Sequence, residues 1–125
     1  MKKIKNVYIE KGMNVSELLE SMKDAGFGAG KIAKASEILK KMFADKECSV
    51  FMGVAGAMVP GGMKGIIMDM LEKVDVFVTT GATLTHDLIE SLGGFHFKGD
   101  ELEDDKKLQD KGIDRMYNVY MKNSV

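Results

Sequence analysis

The chain has 125 residues, 45% apolar and 30% charged, with one proline and no low-complexity tract, enough to bury one core but not two. Eighteen Lys+Arg against nineteen Asp+Glu leave a net charge of −1, without the basic excess of a nucleic-acid module, and no apolar run nears the roughly 20 residues that cross a bilayer. One cysteine, Cys48, excludes an internal disulfide and a Cys-rich zinc site; the opening MKKIKNVYIEKGMN lacks the apolar stretch of a signal peptide, so a cytoplasmic protein is expected.

Residues 7–10 form a short apolar-rich run that suits a first strand or an ordered arm. Asn14 followed by Glu17 has the spacing of a capping box, predicting a helix over 15–23 with Val15, Leu18, Leu19 and Met22 on one face. After Gly26, Gly28 and Gly30 a longer helix is predicted over 29–46, its apolar positions recurring every three or four residues. The pattern changes at Cys48. Residues 48–54 (CSVFMGV) read as a strand buried on both faces, with Cys48 as inert core. A glycine-rich turn over 53–65 leads into a helix over 61–73. Residues 74–80 (VDVFVTT) read as a second buried strand, and a helix over 84–92 closes on Gly93 and Gly94. Strand, glycine turn, helix, repeated once, predicts an α/β fold with a parallel sheet and right-handed crossovers. An acidic loop with a short helix over 105–111 and a last strand over 116–121 complete a single predicted domain, 1–125.

Ligands of open parallel sheets bind outside the carboxyl ends of the strands. Glycine there lets the backbone approach a ligand, and the following helix offers free N–H groups. The turns 53–62 and 79–85 therefore look like two sides of a nucleotide crevice, although neither the Gly-x-Gly-x-x-Gly nor the Walker pattern is present. Thr79, Thr80, Thr83, Thr85, His86 and Asp87 place polar groups at the second strand end, where helix capping explains the threonines and His86 is a candidate site residue. His96, between Phe95 and Phe97, reads as structural, and Lys64 as a solvated helix lysine. Two histidines cannot assemble a zinc site, and no nucleophilic triad is visible, so no metal and no catalytic residue are assigned.

The run FMGVAGAMVPGGMKGIIMDMLEKVDVFVTTGATLTHDLIESLGG, followed by DD-x-x-L-x-x-x-GI-x-R-x-Y-x-VY, resembles deoxyhypusine synthase, in the branch that carries Ala-Gly-Ala-Met-Val-Pro and a Thr-Gly-Ala…His-Asp turn. Lys11, Gly12, Asn14, Leu18 and Leu19 fit the same pattern upstream. The resemblance implies a Rossmann-like NAD-binding fold in a tetrameric enzyme that oxidises spermidine and transfers its aminobutyl group, through an imine on an enzyme lysine, to a lysine of translation initiation factor 5A. Carried over by position, Gly53, Ala55, Gly56, Ala57, Met58 and Pro60 would line the NAD site with Thr80, Gly81, Ala82 and His86. Thr85, His86 and Asp87 would face the amine, with Thr85 and His86 replacing the paired glutamates of the eukaryotic branch.

The family's lysine lies in a Trp-Gly-Lys segment of its second half, and this chain has no tryptophan. The expectation is a partial fold completed by another chain: the NAD-binding subunit of a split synthase whose partner brings the lysine, inactive when isolated. Two alternatives stand beside it. One is a self-sufficient homo-oligomer in other polyamine chemistry of the homospermidine type; the other is a non-catalytic regulator of a full-length synthase.

Overall fold

A computed structural model of the protein describes residues 1–124. The chain divides into two compact units, Met1–Cys48 and the remainder from Ser49.

In the first unit, residues 7–10 form an arm without strand pairing. The arm is tied down by its lysines: Lys5 N–H donates to the Asp24 carbonyl at 3.1 Å, and the Lys2 and Lys5 ammonium groups pair with the Asp24 carboxylate. Helix α1, Val15–Ser21, opens on the expected capping box. Glu17 N–H donates to Asn14 Oδ1 at 3.0 Å while Asn14 N–H donates to Glu17 Oε2 at 2.8 Å, which satisfies two of the donors a helix start leaves free. Helix α2 runs Phe27–Ala44 and buries only Ala33. Cys48 ends this unit half-exposed and outside any strand, so it is not the inert core residue expected from its apolar neighbours.

The second unit holds the strand–turn–helix alternation. Strand β1 is Phe51–Val54 and β2 is Val76–Thr79, paired in parallel with Phe51 opposite Val76 and Val54 opposite Thr79. Between them lie a 3-10 turn, Gly56–Met58, a π turn, Val59–Met63, and helix α3, Lys64–Leu71. Helix α3 starts three residues later than its pattern suggests, because Gly62 sits at φ +84 and breaks the helical run. Helix α4, Gly81–Ser91, starts three residues earlier than predicted. Strand β3 is His96–Lys98, helix α5 is Asp105–Asp110, and β4 (Ile113–Met116) and β5 (Val119–Lys122) form an antiparallel sheet in the order β3-β5-β4.

Three expectations change here. The parallel sheet has two strands and is joined by a separate three-stranded antiparallel sheet. The predicted single strand over 116–121 is a hairpin that turns at Tyr117, a non-glycine residue at φ 55. The parallel strands are not buried on both faces: along each, exposed and half-buried residues alternate. Register puts Phe51, Gly53, Val76 and Val78 on one bare face, and Met52, Val54, Phe77 and Thr79 on the other. Phe77 and residues of α3 and α4, among them Ile67, Met68 and Leu84, line an apolar groove of about 360 Å³. The buried hydrophobic residues of this unit are Val50, Val59, Ile67 and Leu108. Among the described residues no helix is long and apolar enough to cross a membrane.

Candidate functional site

The carboxyl ends of β1 and β2 lie side by side, so the turns that follow them meet. A Cβ on Gly56 would stand 2.9 Å from both Ala82 Cβ and Thr80 Oγ1, so this contact between the first turn and the start of α4 requires glycine. Beneath it runs a chain of hydroxyls. Thr83, buried, has its Oγ1 2.7 Å from Thr79 Oγ1 and 3.5 Å from the Ala55 carbonyl, and the Thr79 hydroxyl donates to the Val54 carbonyl at 2.9 Å. Each hydroxyl has one proton, so the order that satisfies the shorter bonds is Thr83 to Thr79 to Val54. These threonines lock the two strand ends together.

The helix start is open. Thr80 is the N-cap of α4 in extended conformation, and its side chain makes no capping bond. Gly81 and Ala82 form the exposed first turn. Gly53, Gly61, Gly62 and Gly81 have nothing within 4 Å of the place a Cβ would take. Ala57 and Met58 are exposed in the 3-10 turn, while Pro60 is buried in the π turn. Pro60, Gly61 and Gly62 line a cleft of about 310 Å³ whose other wall includes His96, Phe97, Lys98 and Asn118. The structure thus gathers Gly56, Thr80 and Ala82 at one contact, holds the Ala55 carbonyl near Thr83, and sets Pro60 against β3 instead.

One turn further along α4 the titratable groups converge. His86 Nδ1 is 3.0 Å from His96 Nε2, and His96 Nδ1 is 2.9 Å from Glu90 Oε1. The His96 side chain is only 6% exposed. Lys64 on α3 reaches across to Asp87 Oδ1 at 2.7 Å and Glu90 Oε2 at 3.5 Å. Burial, then the neighbouring His96, hold the His86 imidazole below its ordinary value, with Glu90 pulling the other way. The hydrogen bond to Asp87 raises Lys64 above the usual lysine range. Thr85 Oγ1 turns back to donate to the Gly81 carbonyl at 3.0 Å, which spends its proton within the helix.

One reading of a single residue therefore changes: Lys64 is an ion-paired residue of this cluster rather than a solvated one. His96, read as structural, is buried and bonded to both His86 and Glu90. Glu90 carries no signal of its own, although its spacing of four from His86 puts both on one helix face. Among the described residues no three His, Cys, Asp or Glu side chains converge as metal ligands.

Parallel strands ending side by side in glycine turns, each turn running into a helix, define an open α/β arrangement, of the kind whose ligands bind outside the strand ends. The deoxyhypusine synthase family profile matches residues 17–125. The chain is 42% identical to probable deoxyhypusine synthase 1 of Methanosarcina acetivorans, over 94% of this chain and 38% of the relative. Against the probable deoxyhypusine synthase of Methanothermobacter thermautotrophicus the identity is 43%, over 94% and 39%. A deoxyhypusine synthase-like protein of Chlorobaculum parvum is 41% identical, over 94% and 34%. The chain belongs to the deoxyhypusine synthase family, and it spans less than two-fifths of the length of these curated relatives.

Proposed function

We propose that this chain is the NAD-binding portion of a split, deoxyhypusine-synthase-type transferase, with Rossmann-like topology completed by a second polypeptide, acting in the cytoplasm. The observation that carries this reading is the close seat of Gly56 on Ala82 and Thr80, which brings the two glycine turns together at the strand ends. The turns fit a dinucleotide: Gly53, Gly61, Gly62 and Gly81 leave open space over their backbone, and the first turn of α4 carries unbonded N–H groups at its positive end. Gly53, the 55–60 turn, Thr80, Gly81, Ala82 and His86 would hold the cofactor, and Thr85, His86 and Asp87 would face the amine. NAD, when bound, supplies the hydride acceptor. The residues of this chain would orient it, offer it the backbone N–H groups of these turns, and present His86 and Asp87 to spermidine.

The rest of the machinery belongs to the partner in this reading: the nucleophilic lysine, the remaining amine pocket and the acceptor site for initiation factor 5A. The bare face at Phe51, Val76 and Val78, and the leucines along α4, are the surfaces that the remaining part of the fold would cover. The test combines this chain with the candidate partner and follows NAD-dependent release of diaminopropane from spermidine. Neither polypeptide alone should release it, and the mixture should. A mixture with no release and no association defeats the split enzyme. His86→Ala should lower the mixture's turnover about 100-fold or more if His86 works at the reacting amine; an unchanged turnover supports the regulator instead. The same bare surfaces also admit a second copy of this chain, which is what favours the homo-oligomer of homospermidine-type chemistry as second reading. Light scattering separates the two, since only the second predicts activity and a defined multimer without a partner.

A further inference from the structure

We propose that Glu90, His96 and His86 form a proton relay that ends at His86 Nε2 and takes a proton from an alkylammonium group in the crevice; this rests on the polyamine reading given above. The relay is built from two bonds on consecutive atoms, 2.9 Å from Glu90 Oε1 to His96 Nδ1 and 3.0 Å from His96 Nε2 to His86 Nδ1. A carboxylate only accepts, so Glu90 fixes the proton of His96 on Nδ1. His96 Nε2 is then a bare acceptor, which fixes the proton of His86 on Nδ1 in turn. His86 Nε2 is left as a lone pair. Among the described residues nothing hydrogen-bonds it, and it is not among the atoms sealed from solvent. The chain of bonds thus has a buried middle, at the His96 side chain, and an open end, at His86 Nε2.

The charges around the relay balance, two carboxylates against two ammonium groups. Asp87 and Glu90 stand on the helix that carries His86, opposed by Lys64 from α3, and Lys98 shares the cleft that His96 lines from β3. Partial burial keeps His86 neutral near pH 7, and therefore able to accept. The step balances without any further reactant. An ammonium R₂NH₂⁺ gives its proton to His86 Nε2; the proton on His86 Nδ1 passes to His96 Nε2; the charge comes to rest on His96 as an imidazolium against the Glu90 carboxylate. The products are a neutral amine, a neutral His86 and an ion pair inside the protein. An amine gives up hydride from its adjacent carbon only when its nitrogen lone pair is free, so this is the step that an oxidising transferase needs before anything else. His86 is the group that would touch substrate; His96 and Glu90 are positioning residues acting through it.

The test is nitrogen-15 NMR of the imidazole rings in the 125-residue chain, with neither cofactor nor amine present. Between pH 7 and 8 both rings should show a single tautomer, protonated at Nδ1 and bare at Nε2. Glu90→Gln should mix the tautomers of both rings and move the His86 midpoint down by about 1 pH unit or more. Lys64→Met, which removes the other charge on Glu90, should leave both tautomers in place. Mixed tautomers or an Nε2-protonated His86 in the native chain would overturn the relay. So would a Glu90→Gln chain whose His86 is unchanged, or a Lys64→Met chain disturbed as much as Glu90→Gln. Failure of the functional reading looks different, because fixed tautomers with no NAD or spermidine binding in the assembled complex remove the polyamine and leave the hydrogen-bonded chain standing.

Discussion

At the scale of single residues, the site depends on groups whose worth comes from what they touch. Gly56 is the sharpest case. In Gly56→Ala the new methyl must displace the start of α4, since Ala82 Cβ and Thr80 Oγ1 would both lie at 2.9 Å. The expected cost is about 1–3 kcal/mol, read as a lower urea midpoint. Thr83→Val removes the hydroxyl that donates to Thr79 inside a buried setting and should cost about 1–2 kcal/mol, whereas Thr83→Ser keeps the donor and should cost less. His86 sets a pH dependence. Its folded value lies below the ordinary 6.5, so the unfolded chain binds the proton first as pH falls. Stability is therefore full above pH 6.5 and declines below it until the folded value is passed. Denaturant midpoints taken from pH 8 down to pH 5 should show that slope, and His86→Gln should flatten it. Of these residues, sequence reading singles out Gly56 and His86 because glycine and histidine are conspicuous at a strand end. The roles of Thr83, His96 and Glu90 were not legible, since they arise from distances across β2, α4 and β3 that no local pattern encodes.

At the scale of elements, the legible parts are those with local causes. The capping box fixes where α1 begins, the spacing of three and four reveals α2 and α3, and the Gly93–Gly94 pair marks where α4 ends. What sequence reading misplaces are boundaries decided by backbone conformation, such as the start of α3 behind Gly62, and pairings decided by distant partners, such as β3 with β5. The β4–β5 hairpin shows why. It is held by Arg115, whose Nε and Nη2 donate to Asp105 at 2.6 and 3.0 Å while Nη1 donates to the carbonyls of Glu101 and Tyr117 at 3.2 and 3.0 Å. The guanidinium fork thus ties the left-handed turn at Tyr117 to the start of α5. Arg115→Lys cannot reproduce two parallel bonds and two carbonyl contacts. Amide hydrogen exchange should quicken across β4 and β5 in that variant and stay unchanged in β1 and β2.

At the scale of the whole molecule, the fold class is readable because the run of strand, glycine turn and helix occurs twice over 51–91. The extent of the sheet is not, since an apolar run looks the same whether its faces are covered by its own chain or by another. Phe51 at 68%, Leu84 at 63%, Leu88 at 58% and Leu92 at 72% exposure are the result. The three leucines are spaced by four, Leu84 and Leu88 within α4 and Leu92 at its C-cap, and so continue one stripe. The apparent melting temperature of a chain with such a stripe depends on what covers it. Anything that binds the folded form over that stripe adds stability in proportion to the logarithm of its concentration. Heating the protein at successive dilutions, with and without the proposed partner, should give a family of transitions rather than one if the stripe is an interface, and their spacing would measure the strength of that association.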